Sequence, residues 1–172
     1  KPLTRFIGRQ GEIADLRQLL ADHRLVTVLG PGGAGKTRLA IEVLRAPPDD
    51  VGDPVHWVEL AELPRHAPVT ASIAEAIGLA SRSSATMDDL ADAIGDSRLV
   101  LALDNCEHVI DAVRDAADAL LSSCPGLRLL ATSREPLSVS GEQRWPIAPL
   151  AIPEAGETTH AQLEGSAAVE MF

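Results

Sequence analysis

Short apolar runs alternate along this chain with stretches whose apolar residues recur every three or four positions. The runs Leu25-Val26-Thr27-Val28-Leu29, Leu99-Val100-Leu101-Ala102-Leu103-Asp104 and Leu127-Arg128-Leu129-Leu130-Ala131-Thr132 are short and apolar almost throughout, so they read as buried strands. Residues 55–60 read as another strand and Arg144-Trp145-Pro146-Ile147 as a short fifth. Helical spacing appears over 12–23, where Ile13, Leu16, Leu19 and Leu20 share a side, and after residue 37, where Leu39, Val43 and Leu44 do. It recurs with Ile73 and Ile77 behind a capping Thr70, and with Leu90 and Ile94 behind the capping box Thr86-Met87-Asp88-Asp89, ended by Gly95. A last helix is expected over 107–123, with Val109, Val113, Ala116 and Leu120 inward. Unbroken apolar strands alternating with helices predict an α/β fold: a parallel sheet of about five strands, helices on both faces.

The pattern changes character between the first strand and its helix. Gly30-Pro31-Gly32-Gly33-Ala34-Gly35-Lys36-Thr37 matches the phosphate-binding P-loop, G-x-x-x-x-G-K-[ST], in the strand–loop–helix setting that the motif requires. A polyphosphate is a dense anion. Backbone N–H groups in a glycine loop, together with the positive end of the following helix, make a concave site for it. Gly30, Gly32, Gly33, Ala34 and Gly35 are the expected cradle, with Arg38 in the first helical turn. Lys36 is expected to reach the outer phosphates and Thr37 to ligate Mg²⁺. Lys36 is the only lysine besides Lys1 in a chain with 15 Lys and Arg, which sets it apart from surface filler.

In a parallel sheet ligands collect at the carboxyl ends of the strands. Asp104 ends the 99–104 run, where a carboxylate holds Mg²⁺ through its waters; the alternative is a strand-end cap on the next helix. Asn105, the only asparagine, follows it and cannot act as a base. Glu107 is the nearest carboxylate, read either as a catalytic acid or as a favourable charge on a helix dipole. Arg134 follows the 127–132 strand; its guanidinium either forks onto a γ-phosphate or pairs with Glu135 or another surface acid. Thr132 and Ser133 are polar neighbours. The five His and two Cys show no zinc-ligand spacing.

Composition narrows the picture. A hydrophobic share of 45% suits a packed core, but 2% aromatics leave it to Leu, Val, Ile and Ala. A formal charge of −10 argues against this segment gripping nucleic acid, where basic surface is needed. No membrane segment is expected, and Cys106 and Cys124 make no disulfide framework, so a reducing cytoplasm is the expectation. The expected organisation is one domain over 1–150, then a linker and the start of a helical module over 151–172, the whole a piece of something larger.

With Phe6-Ile7-Gly8-Arg9, the P-loop, Leu103-Asp104-Asn105-Cys106-Glu107-His108 and Ala131-Thr132-Ser133-Arg134-Glu135 in view, the chain resembles the STAND ATPases, relatives of the NB-ARC domain. It looks most like the branch found in bacterial regulators of the SARP and large LuxR types. The resemblance covers nearly all of residues 3–150 and rests more on the Asp-Asn-Cys-Glu-His and Thr-Ser-Arg-Glu strings than on the generic P-loop. It implies a switch that holds ADP at rest, exchanges it for ATP, opens and oligomerises. By that likeness Phe6, Ile7 and Arg9 would lie near the adenine, and Arg134 would be the sensor arginine. The 127–132 strand would then stand between the strands of the P-loop and Asp104. The family's next module, which also contacts nucleotide, would lie beyond this segment, leaving the cleft half open. The competing reading is an AAA+-like motor, which needs a catalytic acid where Asn105 stands. A P-loop fold kept only as an interaction module is disfavoured by the intact Lys36, Thr37 and Asp104.

Overall fold

The computed structural model describes residues 9–48, 54–65, 67–79 and 84–147. Phe6, Ile7, the 150/151 boundary and the expected linker lie outside them. The order is α1 (Gln10–Asp22), β1 (Leu25–Leu29), α2 (Lys36–Leu44), β2 (Val55–Glu59), α3 (Thr70–Ala76), α4 (Met87–Ile94), β3 (Leu99–Asp104), a 3₁₀ turn (Cys106–His108), α5 (Ile110–Ser123), β4 (Leu127–Ser133) and β5 (Gln143–Pro146). The five strands form one sheet in the order β2-β3-β4-β1-β5, every pair parallel. As the resemblance implied, β4 lies between β1 and β3.

Strand alternation divides the core in two. Leu99, Leu101, Leu103, Leu127, Leu129 and Ala131 pack on one face, with Ile73 of α3, Leu90 and Ile94 of α4 and Val113 and Leu120 of α5. Val26, Val28, Val100, Ala102 and Leu130 pack on the other, with Leu16 and Leu20 of α1 and Leu39 and Val43 of α2. Counting on by two from Val100 and Leu130 puts Asp104 and Thr132 on the second face, where α2 begins. The parity of two strands therefore aims both polar side chains at the P-loop helix.

Two local expectations are corrected. Thr70 does not cap α3: Val69 holds the N-cap position with no side-chain cap, and Thr70 is already helical. The helix expected over 107–123 is broken into the 3₁₀ turn, which starts after a left-handed Asn105 (φ 60°), and α5, because Val109 leaves helical geometry (φ −130°) between them. The Thr86 capping box is present, with Asp89 N–H donating to Thr86 Oγ1 at 3.2 Å and Thr86 N–H donating to Asp89 Oδ2 at 2.8 Å. Arginines close helix and turn ends: Arg128 donates to the Leu20 and His23 carbonyls, and Arg17 to those of Glu42 and Val43. Among the described residues no helix is long and apolar enough to cross a membrane.

The segment between β4 and β5 is stitched by Glu142. Its carboxylate accepts Leu137 N–H at 2.8 Å, Ser138 N–H at 3.1 Å and Arg144 Nε at 3.0 Å, while Arg114 Nε donates to the Leu137 carbonyl at 2.7 Å. Burial alone would push the Glu142 carboxyl up, but these hydrogen bonds outweigh it and hold the group below its usual value. A depressed folded value gives stability that is present above the unfolded value, ~4.3, and is lost as pH falls through the folded one. Glu142→Ala is expected to cost about 1–3 kcal/mol, the range for stranding partly buried donors. It should also flatten the acid limb of a stability–pH curve below pH ~4.3. Denaturant melts from pH 7 to 3 check both.

Candidate functional site

The site is built on the carboxyl edge of the sheet. Pairing sets Leu29 opposite Ser133 and Pro146, Leu103 opposite Ala131 and Asp104 opposite Glu59, so the loops after β1, β3 and β4 leave the sheet side by side. The P-loop bridges β1 and α2. Gly33 (φ 78°) and Gly35 (φ 87°) stand in the left-handed region that a side chain resists, which is why the loop needs glycine there. No side chain caps the N-terminus of α2, whose first N–H groups therefore face the loop. Gly30 N–H donates to the Ser133 carbonyl at 3.2 Å, fixing the loop to β4. Ile147 packs where a Gly30 side chain would sit.

Lys36 is buried, 6% exposed, and its Nζ donates to the Gly30 and Pro31 carbonyls at 2.9 and 3.1 Å. The ammonium is thus threaded back into the loop that it follows. Thr37 Oγ1 donates to Asp104 Oδ1 at 2.9 Å. Thr132 Oγ1 donates to the same oxygen at 2.5 Å and accepts Asn105 N–H at 3.0 Å. Asp104 is 4% exposed and Thr132 1%, so a hydroxyl on each side orients a nearly buried carboxylate. Thr132 thus serves Asp104 and the turn after it.

Arg134 and Glu107 meet across the β3 and β4 loops, Nε to Oε1 at 3.1 Å. The acid that Arg134 meets is Glu107 rather than Glu135. Arg134 Nη2 lies 2.9 Å from where a Cβ on Gly32 would stand, so the guanidinium overlies the P-loop. Glu107 lies on the 3₁₀ turn, outside the first turn of α5. Arg9 is buried at the N-cap of α1 and pairs with Glu12, Nε to Oε2 at 3.3 Å. Arg38 lies in the first turn of α2. His108 is exposed. Cys106 is fully buried; burial first, then the Asp104 and Glu107 charges, push its thiol up, so it stays neutral and donates to the Leu103 carbonyl at 3.4 Å. It belongs to the packing.

Sequence reading did not single out Glu59 or the close approach of Arg134 to Gly32. Glu59 ends β2 opposite Asp104, and the acid closing an alternating strand was its only signal. The Arg134 contact had none, since it depends on two loops from non-consecutive strands.

The residues fit a nucleotide and Mg²⁺. The left-handed glycines leave room for an oxyanion beside the uncapped helix end, and a buried cation already lies inside the loop. Thr37 and Asp104 are the pair that would hold Mg²⁺, a hard cation that takes oxygen ligands and keeps several waters. Bound there, it would neutralise phosphate charge.

The sequence model of the family described as Novel STAND NTPase 1 matches residues 2–139. Over 138 residues the chain is 44% identical to a Mycobacterium bovis protein with the provisional name of an HTH-type transcriptional regulator; the match covers 80% of this chain and 15% of that protein. An uncharacterized Mycobacterium tuberculosis protein is 39% identical over 151 residues, 87% of this chain and 38% of its own. The chain therefore spans well under half the length of these curated relatives. Among solved structures, the STAND protein with a tetratricopeptide repeat sensor from Pyrococcus horikoshii matches 85% of this chain and 24% of its own, with TM-score 0.56 and 16% identity. Cdc6p from Pyrobaculum aerophilum matches 84% of this chain and 47% of its own, with TM-score 0.60 and 16% identity. At such identity both likenesses speak for the fold, a P-loop NTPase sheet. With the family matched over most of its length and the P-loop, Asp104 and Arg134 on one sheet edge, the chain belongs to the Novel STAND NTPase 1 family.

Proposed function

We propose that this segment is the ATP/ADP-binding switch domain of a multidomain transcriptional regulator, with Mg²⁺ as its metal and hydrolysis slow. The observation that carries the reading is the linked set Thr37–Asp104–Thr132 beside Lys36 and Arg134, which joins the P-loop to the ends of β3 and β4. Lys36 binds the outer phosphates, Thr37 and Asp104 hold the metal, and Arg134 answers to the γ-phosphate. Asn105 follows Asp104 in place of an acid, and Glu107 Oε1 is engaged by Arg134. An asparagine in that position cannot take a proton from the attacking water, which favours a timer over a motor. The regulator setting rests on the name of the Mycobacterium bovis relative and on the small share of its length that the match covers. Other domains of the same chain are the expected partners, with assembly into homo-oligomers in the ATP form. Phe6, Ile7 and Arg9 are assigned to the base side by likeness alone.

The alternative, an AAA+-like motor, shares the fold and differs in rate. Calorimetric titration with Mg·ATP and Mg·ADP is expected to give binding of both, ADP at least as tight. Steady-state turnover of the full-length protein is expected below ~1 per minute, against about 1–1,000 per second for ordinary enzymes. A rate in the latter range overturns the switch in favour of the motor.

A further inference from the structure

We propose that Glu107 is a positioning residue that aims Arg134 at the P-loop mouth, and that this aim gives the site its discrimination between nucleoside triphosphate and diphosphate. The inference rests on the nucleotide-binding reading above and assigns its selectivity to a pair of side chains.

The two partners differ in freedom. Arg134 is 61% exposed, and an exposed arginine left alone samples many rotamers. Glu107 is 11% exposed and stands on a short turn pinned at each end. Asn105 N–H is held by Thr132, Cys106 is fully buried, and Val109 N–H donates to the Cys106 carbonyl at 3.1 Å. The acid is the fixed member and the arginine the one held.

The atoms used matter as much. Glu107 takes the Nε proton, with Oε1 at 3.1 Å. The terminal Nη1 and Nη2 donors make no hydrogen bond among the described residues, and Nη2 lies against Gly32. A guanidinium gripped by Nε keeps its terminal fork for an oxyanion. A carboxylate that competed with phosphate would occupy that fork. This one leaves it open and turned to the loop.

Glu107 Oε2 is buried and has no hydrogen-bond partner among the described residues. A half-satisfied buried carboxylate is a poor device for stability, and such groups concentrate where function retains them. The diphosphate lacks the group that the fork would meet, so the aim affects ATP and leaves ADP alone.

The test is calorimetric titration of the full-length protein and its variants with Mg·ATP and Mg·ADP. Glu107→Ala should weaken ATP about tenfold or more, the size of one charge-assisted hydrogen bond, with ADP unchanged within about twofold. Glu107→Gln still offers an oxygen to Nε and should recover most of the loss. Arg134→Ala should lose at least as much for ATP, and adding Glu107→Ala to it should lose nothing more. Equal weakening of both nucleotides by Glu107→Ala would mean a merely structural role and overturn the proposal. Tighter ATP binding would mean a competing latch and overturn it too. Arg134 is exposed, so its alanine variant should fold; unchanged ATP affinity there overturns the proposal without recourse to Glu107. If the unaltered protein binds neither nucleotide, the reading of the whole site fails; if it binds both and the variants keep the same ATP to ADP ratio, only the aiming role fails.

Discussion

Lys36→Ala should remove nucleotide binding by roughly 100-fold or more while the domain stays folded. The basis is the place of the ammonium: it is nearly buried inside the loop, 2.9 Å from the Gly30 carbonyl and 3.1 Å from that of Pro31. A phosphate in the cradle meets a cation already shielded from water, and removing one partner of such a pair costs about 2–5 kcal/mol. The folded protein loses much less. The two carbonyls belong to an exposed loop and regain water, so melting should shift by only a few degrees. Titration with Mg·ATP and Mg·ADP beside a thermal melt separates the two effects. Unchanged affinity in a folded variant refutes the phosphate site.

A loss of stability that leaves binding untouched is expected at the opposite end of the strands. Gly126 lies in the turn that leads from α5 into β4, where the chain crosses the turn before β3. A Cβ there would stand 2.5 Å from the Ser97 carbonyl oxygen, 2.9 Å from its carbon and 3.0 Å from the Asp96 oxygen. All three are backbone atoms, so no rotamer relieves the clash; one turn has to move. Both turns feed central strands, and β3 and β4 are paired from their first residues. Gly126→Ala should cost about 1–3 kcal/mol, as overpacking does. For a chain of this size that is a drop of ~2–12 °C in Tm. Nucleotide affinity of the surviving folded protein should not change, since the P-loop is at the other end of the strands. An unchanged Tm would show that the two turns part at no cost.

Most of the architecture was legible because it depends on local pattern. Strands β1, β3 and β4 are apolar on both faces, so their runs stand out at any register, and each begins where the pattern places it. The capping box of α4 is likewise local and was found. What failed was continuity across residues 105–110. Glu107, His108 and Ile110 fit one helix with Val113 as well as they fit a 3₁₀ turn followed by α5. The break lies at Val109, which leaves helical geometry after a turn that starts at Asn105, held left-handed while its N–H reaches Thr132 on another strand. Thr70 fits a cap by residue type, but Val69 occupies the cap position. In the site, the P-loop and Asp104 carry their own signals. The partner of Arg134 does not, because Glu107 is 27 positions away and adjacent only once β3 and β4 pair. Side chains that meet through non-consecutive strands leave no spacing to read.

The strand order also has a cost in time. β1 carries the P-loop, yet both its neighbours, β4 and β5, come from the far end of the domain; Leu25 pairs with Leu129 about one hundred residues later. At a synthesis rate of ~5–20 residues per second, β1 leaves the ribosome some 5–20 s before β4 exists. During that interval both hydrogen-bonding edges of the strand are open, with α1 and α2 the first elements made that shelter Val26 and Val28. The nascent chain is therefore most exposed to wrong pairing at the segment on which binding will later depend.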